Sequence, residues 1–590
     1  MDQKVLLLRE VLENPRITQR QLAERLGVSL GNAHAQLSAA LRDGYLNPET
    51  RSLTESGMQY LKPFRVDGAV VLAAGFGSRF VPLTYDTPKG LLKVFGERML
   101  ERQIRQLHEA GITDITLVVG YLKEKFEYLT DKYGVKLLFN PDFAERNNIS
   151  SVYYARELFR GRNMYLLSSD NWMRNSMFHA YEPGAWYSAV HADGATKEWV
   201  MKLNRKNVIT DVTVGGKDAW YMYGPVYLSR EFSDKLIPAV ERAYGMPGTE
   251  DYYWENVYLD LLHDRKAAAP EMYANRQPAD QVYEFENLEE LRAFDPYYQD
   301  HSDNAAMELI SRVFQVPQSE IREIRCLKAG MTNQSFLFRV KGRDYICRIP
   351  GIGTDKLISR RQEYENYRAV KPLGISDEIV YFDPKTGYKI SVYYENSRNA
   401  DPESPDDMRR CMELLRTLHG AGIRVAHRFD VGERICFYEK LCRESGDIPF
   451  EDYASVRAKM DELLSRLDSR KRPLALSHID SVSSNFIFTA DGSLRLIDWE
   501  YAGMADPLID VAMCAIYSYF SFEKTDRLLA WYLGREPEED EKRIVYSYMA
   551  LGGFLWALWS VYKENLGKTF GDYVLIMYRY AKDGYRKAVK

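Results

Sequence analysis

Two stretches of this 590-residue chain carry residue types and spacings suited to handling phosphate. Residues 72–92 read LAAGFGSRFVPLTYDTPKGLL, opening on the end of the apolar run GAVVLA. Gly75 and Gly77 permit close backbone approach, so N–H groups along Leu72, Ala73, Ala74 and the glycines can share one concavity for phosphate oxygens. Arg79 and Lys89 would supply the countercharge. The pattern is neither GxGxxG nor GxxxxGK[ST]. In the second stretch, HIDSVSSNF is followed by LRLIDWEYA. Asp480 and Asn485 share a loop, and Asp498 ends a strand thirteen residues later. That spacing fits phosphoryl transfer, with Asp480 accepting a hydroxyl proton and Asn485 and Asp498 holding Mg²⁺ on ATP.

Three segments must position these residues. Residues 1–66 have helical periodicity, and a Gly-Val-Ser turn joins two amphipathic stretches at near helix-turn-helix spacing. From residue 67 to about 295, apolar strands alternate with amphipathic helices (GAVVLAAG, ERMLERQIRQLHEAG, DITLVVG), which predicts parallel strands in a doubly wound α/β sheet. Ligands bind such sheets at the carboxyl ends of the strands, where the Gly-rich loop falls. Residues 300–590 begin with a hairpin-rich lobe and continue as helices, which predicts a bilobal α+β domain with a cleft.

Composition narrows the options. The hydrophobic fraction is 45%, the charged fraction 28% and the formal net charge -5, so no general attraction to polyanions is expected. The six cysteines lie in the second half without CxxC spacing, which argues against a disulfide frame or zinc site. Charges interrupt MDQKVLLLREVLENP and no run of about 18 apolar residues is evident, so neither membrane insertion nor a signal peptide is expected and a cytoplasmic location is. The 42 Tyr and 9 Trp supply aromatic faces for packing or for binding cations.

Residues 1–66, with NPETRSLTESGMQYL where a small hairpin belongs, resemble the winged helix-turn-helix domain of bacterial regulators. Ser29 to Asp43, the expected reading helix, offers mainly Asn32, His34, Gln36 and Arg42. Two readings stay open, a docking or regulatory module and DNA binding.

The order LAAGxGSR, PLT, TPK resembles the nucleotidyltransferases that join a nucleoside triphosphate to a phosphorylated small molecule. ERNNISSVYYARELF and the strands before it are similar to the bacterial phosphocholine cytidylyltransferase branch. The resemblance implies CTP and phosphocholine as substrates and Mg²⁺ at Asp170, the end of MYLLSSD. It implies a second, later metal ligand, for which EDYYWEN offers Asp251, favoured, and Glu255. It also implies an aromatic cage for the quaternary ammonium, at Trp199, Trp254 and Tyr227.

Residues 300–590 resemble the choline and aminoglycoside kinases, whose loop usually reads H-N-D or H-G-D where Ile479 stands here. KAGMTNQSF then corresponds to the phosphate-covering turn, with Thr332 and Asn333. Arg348 takes the place of the strand lysine of protein kinases, with Glu363 as partner and Glu365 as the alternative. The LWxLW pattern of FLWALWSVYKENLG is similar to choline kinases, whose trimethylammonium cage includes such tryptophans, and it nominates Trp556, Trp559 and Tyr562. Together the resemblances imply consecutive reactions, choline with ATP giving phosphocholine, then phosphocholine with CTP giving CDP-choline. The rival readings are a sugar kinase fused to a sugar-1-phosphate nucleotidyltransferase, and a transcriptional regulator whose catalytic domains became sensors.

Overall fold

A computed structural model describes residues 2–264, 270–327, 333–351 and 357–590. The chain forms two compact units, Met1–Glu320 and Ile321–Lys590.

The first unit opens with α1 (Gln3–Glu13), α2 (Gln19–Leu26), α3 (Leu30–Arg42) and α4 (Glu55–Leu61). Thr18 and Gln21 form a capping box at the start of α2, and Gly27 closes it in the left-handed region at φ 64°. The turn into α3 is thereby set, and Ser29 caps it. Leu46 bridges Leu53 as the small hairpin. The apolar faces meet around Val5, Leu8, Leu22, Leu37 and Leu61, and Tyr181 of the following domain packs against that core. Arg9 and Glu182, both buried, pair at 3.0 Å, and Glu10 takes Arg25 at 2.8 Å. The helical module is therefore built onto the α/β domain, not tethered to it.

The α/β domain contains β1 (Gly68–Ala73), α5 (Met99–Glu109), β2 (Ile115–Val119), β3 (Lys136–Phe139), β4 (Met164–Ser168), β5 (Asn171–Met173), β6 (Trp186–Leu203), β7 (Ile209–Leu228), α6 (Trp254–His263), β8 (Tyr273–Arg276) and β9 (Val282–Glu284). Its seven-stranded sheet runs β8-β6-β7-β4-β1-β2-β3. β1 lies parallel between β2 and β4, and β7 joins β4 antiparallel. Both faces of β1 are buried, which accounts for the unbroken apolar run GAVVLA. Its carboxyl end therefore delivers the Gly-rich loop next to the end of β4.

The second unit contains β10 (Arg322–Cys326), β11 (Asn333–Val340), β12 (Arg343–Pro350), α7 (Arg360–Val370), β13 (Ile379–Phe382) and β14 (Lys389–Val392), followed by a helical lobe. The five strands form an antiparallel sheet in the order β10-β11-β12-β14-β13. The helical lobe carries β15 (Ala475–Ser477), α8 (Leu508–Tyr517) and α9 (Glu539–Asn565) around one large apolar core. The expectation that no segment is apolar and long enough to cross a membrane is corrected by α9, with a mean hydropathy of 1.4 over 18 residues. That window is 94% buried among the lobe's other helices.

Candidate active sites

In the α/β domain the chain leaves β1 at Ala73 and turns through Gly77 at φ 67°, whose carbonyl accepts a hydrogen bond from the Thr84 hydroxyl at 3.0 Å. A Cβ there would lie 3.1 Å from Thr84 and 3.2 Å from Lys89, so both the dihedral and the space call for glycine. Gly90 has a second steric reason. A Cβ at Gly90 would lie 2.7 Å from Ser169, and that close approach sets Lys89 beside the end of β4. Lys89 Nζ donates to Asp170 Oδ2 at 2.6 Å. Leu72, Ala73, Ala74, Gly75, Gly77, Arg79, Lys89 and Asp170 all line one cavity of about 300 Å³.

The later carboxylate is not where the sequence suggested. Asp251 is exposed in the turn before α6 and does not line the cavity. Glu255 is turned into the domain, where burial pushes it up to about 7 and the Tyr187 hydroxyl donates to it at 3.1 Å. The group brought close enough to feel the charge of Asp170 is Glu284, although it too stands outside the cavity lining. β9 pairs with β5 so that Glu284 stands opposite Asn171, which donates to it at 3.2 Å. The charge of Asp170, then burial, pushes Glu284 up to about 7. Two residues on, Glu286 forms an ion pair with Arg79. The signal available was the pair of glutamates in Tyr-Glu-Phe-Glu, residues 283–286, the first ending β9 and the second in the bend after it.

Two of the expected cage aromatics are corrected. Tyr227 is 1% exposed and packs on Tyr165 and Trp186, because its β7 position faces the core. Trp254 is buried against Tyr187 with rings nearly parallel at 6.0 Å, and only its backbone N–H meets a cavity residue, Asn148. Trp199 is partly exposed but does not itself line the cavity; it stands edge-on at 6.1 Å to Tyr253, a cavity-lining aromatic that the sequence reading passed over.

The phosphotransferase cavity, about 580 Å³, lies among β11, β12, β14 and the helical lobe. Arg348 of β12 bonds Glu363 of α7 in a fork at 2.5 and 2.9 Å, with side chains 6% and 0% exposed. Glu365 instead pairs with Arg361 on the surface. Arg360 extends the fork, bonding Glu363 at 3.1 Å, Glu500 at 3.2 Å and Asn333 at 3.0 Å. Thr332 lies outside the described residues.

Beyond β15 the loop carries His478, Ile479 and Asp480. Ile479 sits at φ 70°, a region that β-branched residues strongly disfavour. Asp510 of α8 holds it there, accepting the His478 and Ile479 backbone N–H groups at 2.7 and 2.6 Å, while the isoleucine side chain is fully buried. The Asn or Gly usual here would meet this dihedral with less strain, and the departure is offset by the clasp and the apolar burial. Burial, then the charge of Asp498, pushes Asp480 up to about 7. The Asn485 amide donates to Asp480 Oδ2 at 3.1 Å. Asp498 is itself left-handed at φ 66°, and its Oδ1 is buried without a hydrogen-bond partner, with Arg348 Nη1 at ion-pair distance, 3.6 Å. Such an orphaned oxygen beside Asp480 and Asn485 fits a divalent cation, as do Asp170 and Glu284 in the other domain.

Trp556 and Trp559 line this cavity with Tyr501, Tyr517, Phe570 and Tyr573. Trp556 meets Tyr501 edge-on at 5.6 Å, and Trp559 lies 5.1 Å from Phe570. Tyr517 reaches Asp480 and so joins the aromatic wall to the base. Tyr562 is corrected: six residues along α9 turn it about 120° from Trp556, against the lobe's core and off the cavity wall.

Comparison with known proteins accords with these domains. Residues 2–47 match the winged helix-turn-helix DNA-binding model, 68–189 the nucleotidyl transferase model and 323–543 the phosphotransferase enzyme family. The choline-phosphate cytidylyltransferase of Streptococcus pneumoniae is 34% identical over 224 residues, 38% of this chain and 97% of that protein. A 2-aminoethylphosphonate cytidylyltransferase of Lancefieldella rimae is 33% identical over 39% of this chain and 92% of its own length. Protein LicA of Haemophilus influenzae is 29% identical over 42% of this chain and 75% of that protein. The chain thus belongs to the nucleotidyl transferase family, in the group that includes the pneumococcal choline-phosphate cytidylyltransferase, and carries in the same polypeptide segments matching the winged helix-turn-helix DNA-binding model and the phosphotransferase enzyme family.

Proposed function

We propose that the chain makes CDP-choline in two steps. The observation that carries this reading is the aromatic wall beside Asp480. A quaternary ammonium has no N–H to donate and is held by ring faces, and Trp556, Trp559, Tyr501 and Tyr517 supply those next to a base. A sugar would call for hydrogen-bonding side chains in their place.

In the first step the choline hydroxyl oxygen attacks the γ-phosphorus of ATP, its proton passes to Asp480, and ADP leaves. In the second, a phosphate oxygen of phosphocholine attacks the α-phosphorus of CTP and pyrophosphate leaves, with the loop N–H groups, Lys89 and Arg79 balancing the charge. Mg²⁺, held by Asn485 and Asp498 in one domain and by Asp170 with Glu284 in the other, would neutralise phosphate charge when bound. The chain's own groups orient the reactants: Asn485 steadies the Asp480 carboxylate, and the Gly77 turn presents Arg79. Both nucleotides are cytoplasmic metabolites, and we place the protein there.

The relative that acts on 2-aminoethylphosphonate makes the acceptor the point to test. Purified protein incubated with choline, ATP, CTP and Mg²⁺ is expected to yield phosphocholine and then CDP-choline by mass spectrometry, with ethanolamine, 2-aminoethylphosphonate and a hexose as competing substrates. Absence of both products, or preference for the hexose, overturns the reading.

A further inference from the structure

Asp498 carries an unusual backbone for its task. It is left-handed at φ 66° and ψ 63°, where only glycine is comfortable and Asp is merely tolerated. Its carboxylate direction therefore depends on what holds the peptide as well as on Arg348, whose Nη1 stands 3.6 Å from Asp498 Oδ1. Its backbone N–H meets the Tyr367 hydroxyl oxygen at 3.3 Å. Tyr367 lies one turn beyond Glu363 on α7 and is 4% exposed, so its oxygen is a buried acceptor with a fixed place.

That oxygen is itself pinned. Lys389 Nζ donates to it at 2.6 Å, from β14, where Lys389 stands directly opposite Arg348 of β12. Behind the pair is Asp377, 8% exposed, with Oδ2 3.9 Å from Lys389 Nζ and Oδ1 buried without a hydrogen-bond partner. Burial pushes the Asp377 carboxyl up, and Lys389 and the Tyr367 hydroxyl pull it down. A lysine this deep, whose ion pair with Asp377 is long at 3.9 Å and whose partner is incompletely bonded, is an expensive way to fill space. Arg348 already supplies the buried cation on the neighbouring strand. Lys389 is better explained by what it fixes, an acceptor for the one peptide whose side chain must face the nucleotide.

We propose that Tyr367, braced by Lys389 and Asp377, is a positioning residue for Asp498 in the phosphotransferase site. Ile479 and Asp498, both left-handed, are then held alike, each by a helix-borne side chain on its backbone N–H, Ile479 by Asp510 and Asp498 by Tyr367. The proposal rests on the reading of Asp498 as the cation-holding group, which Asp498→Asn tests separately: if that variant keeps its phosphoryl transfer, the reading falls and the proposal with it.

The direct test is Tyr367→Phe in the full chain, which removes one oxygen and keeps the ring. Phosphoryl transfer to choline is expected to lose about tenfold or more in kcat, with the half-saturating Mg²⁺ concentration raised several-fold and KM for choline unchanged. The CTP-dependent step of the same preparation is the internal control and is expected to hold. Calorimetry with a non-hydrolysable ATP analogue, choline omitted, separates positioning from packing. The analogue is expected to bind several-fold more weakly with Mg²⁺ present and equally well without it. Unchanged kcat and Mg²⁺ dependence, or an equal loss of metal-free binding, overturns the proposal. The double variant Lys389→Met, Asp377→Asn removes the brace as a neutral pair and keeps the hydroxyl. It is expected to shift the Mg²⁺ dependence in the same direction but less, and no shift would exclude Lys389 from the device.

Discussion

The two catalytic domains hold their charges differently. In the nucleotidyltransferase the phosphate-seeking cations keep some contact with solvent, Arg79 with Glu286 at 66% and 47% exposure and Lys89 with Asp170, part-buried, at 14% and 20%. In the phosphotransferase Arg348 and Glu363 are sealed at 6% and 0%, and Arg360, Glu500 and Asn333 complete the network. An exposed pair such as Arg79–Glu286 contributes about 0–1 kcal/mol and exchanges partners readily when a triphosphate arrives. A sealed pair is a fixed part of the lobe and becomes costly only when half of it is removed. The first domain therefore stores its countercharge for the ligand, whereas the second uses charge to set a frame around Asp480 and Asp498.

Perturbing each domain breaks the comparison in opposite ways. Asp480→Ala removes the base and is expected to lower phosphoryl transfer about 10³–10⁴-fold while CTP-dependent transfer from supplied phosphocholine continues. Loss of both steps would contradict separate sites. Arg348→Met leaves Glu363 buried beside one remaining arginine, and about 3 kcal/mol or more of the phosphotransferase's unfolding free energy is expected to go. Adding Glu363→Gln is expected to restore most of it, as read in urea unfolding. Lys89→Met is the counterpart in the shallow site. It is expected to lower cytidylyl transfer about 10²–10³-fold and to move the unfolding midpoint less than Arg348→Met does, because Asp170 keeps a fifth of its side chain exposed whereas Glu363 keeps none. A large drop in stability with activity intact would reverse the assignment.

Much of this contrast was legible in order along the chain. The Gly-rich loop, Lys89 and Asp170 are read from strand ends, since a parallel sheet brings the carboxyl ends of β1 and β4 together whatever the intervening length. Asp480, Asn485 and Asp498 lie within one short strand-loop-strand, so spacing alone joins them. Glu284 was missed because the pairing that places it, β9 on β5, joins segments about 110 residues apart. Tyr227 and Trp254 were misplaced for a different reason. An aromatic on a long hairpin or at a helix start belongs to a core or a cavity according to which face it takes, and only packing decides that. The left-handed Ile479 was visible as a departure from pattern, but the buried Asp510 that permits it lies thirty-one residues on, in a helix that reads as pure core.

The smallest expected effect concerns two buried glutamates. Glu363 is held below its ordinary range against burial by Arg348, then by Lys389 and Arg360. Glu255, with a tyrosine and no cation, is pushed by burial from the ordinary 4.5 up to about 7. The folded nucleotidyltransferase thus keeps a proton that the unfolded chain releases near 4.5, so its stability falls as pH rises from about 4.5 to about 7 and stays lower above. Glu255→Gln mimics the protonated form at every pH. The variant is expected to match the native protein at pH 4.5 and to exceed it by about 3 kcal/mol or less at pH 8. Urea unfolding of that domain at the two pH values reads the difference. An equal difference at both would mean that Glu255 acts through shape and not through charge. The same substitution at Glu363 is expected to behave in the opposite sense, destabilising most above pH 5, where the native carboxylate is charged and paired.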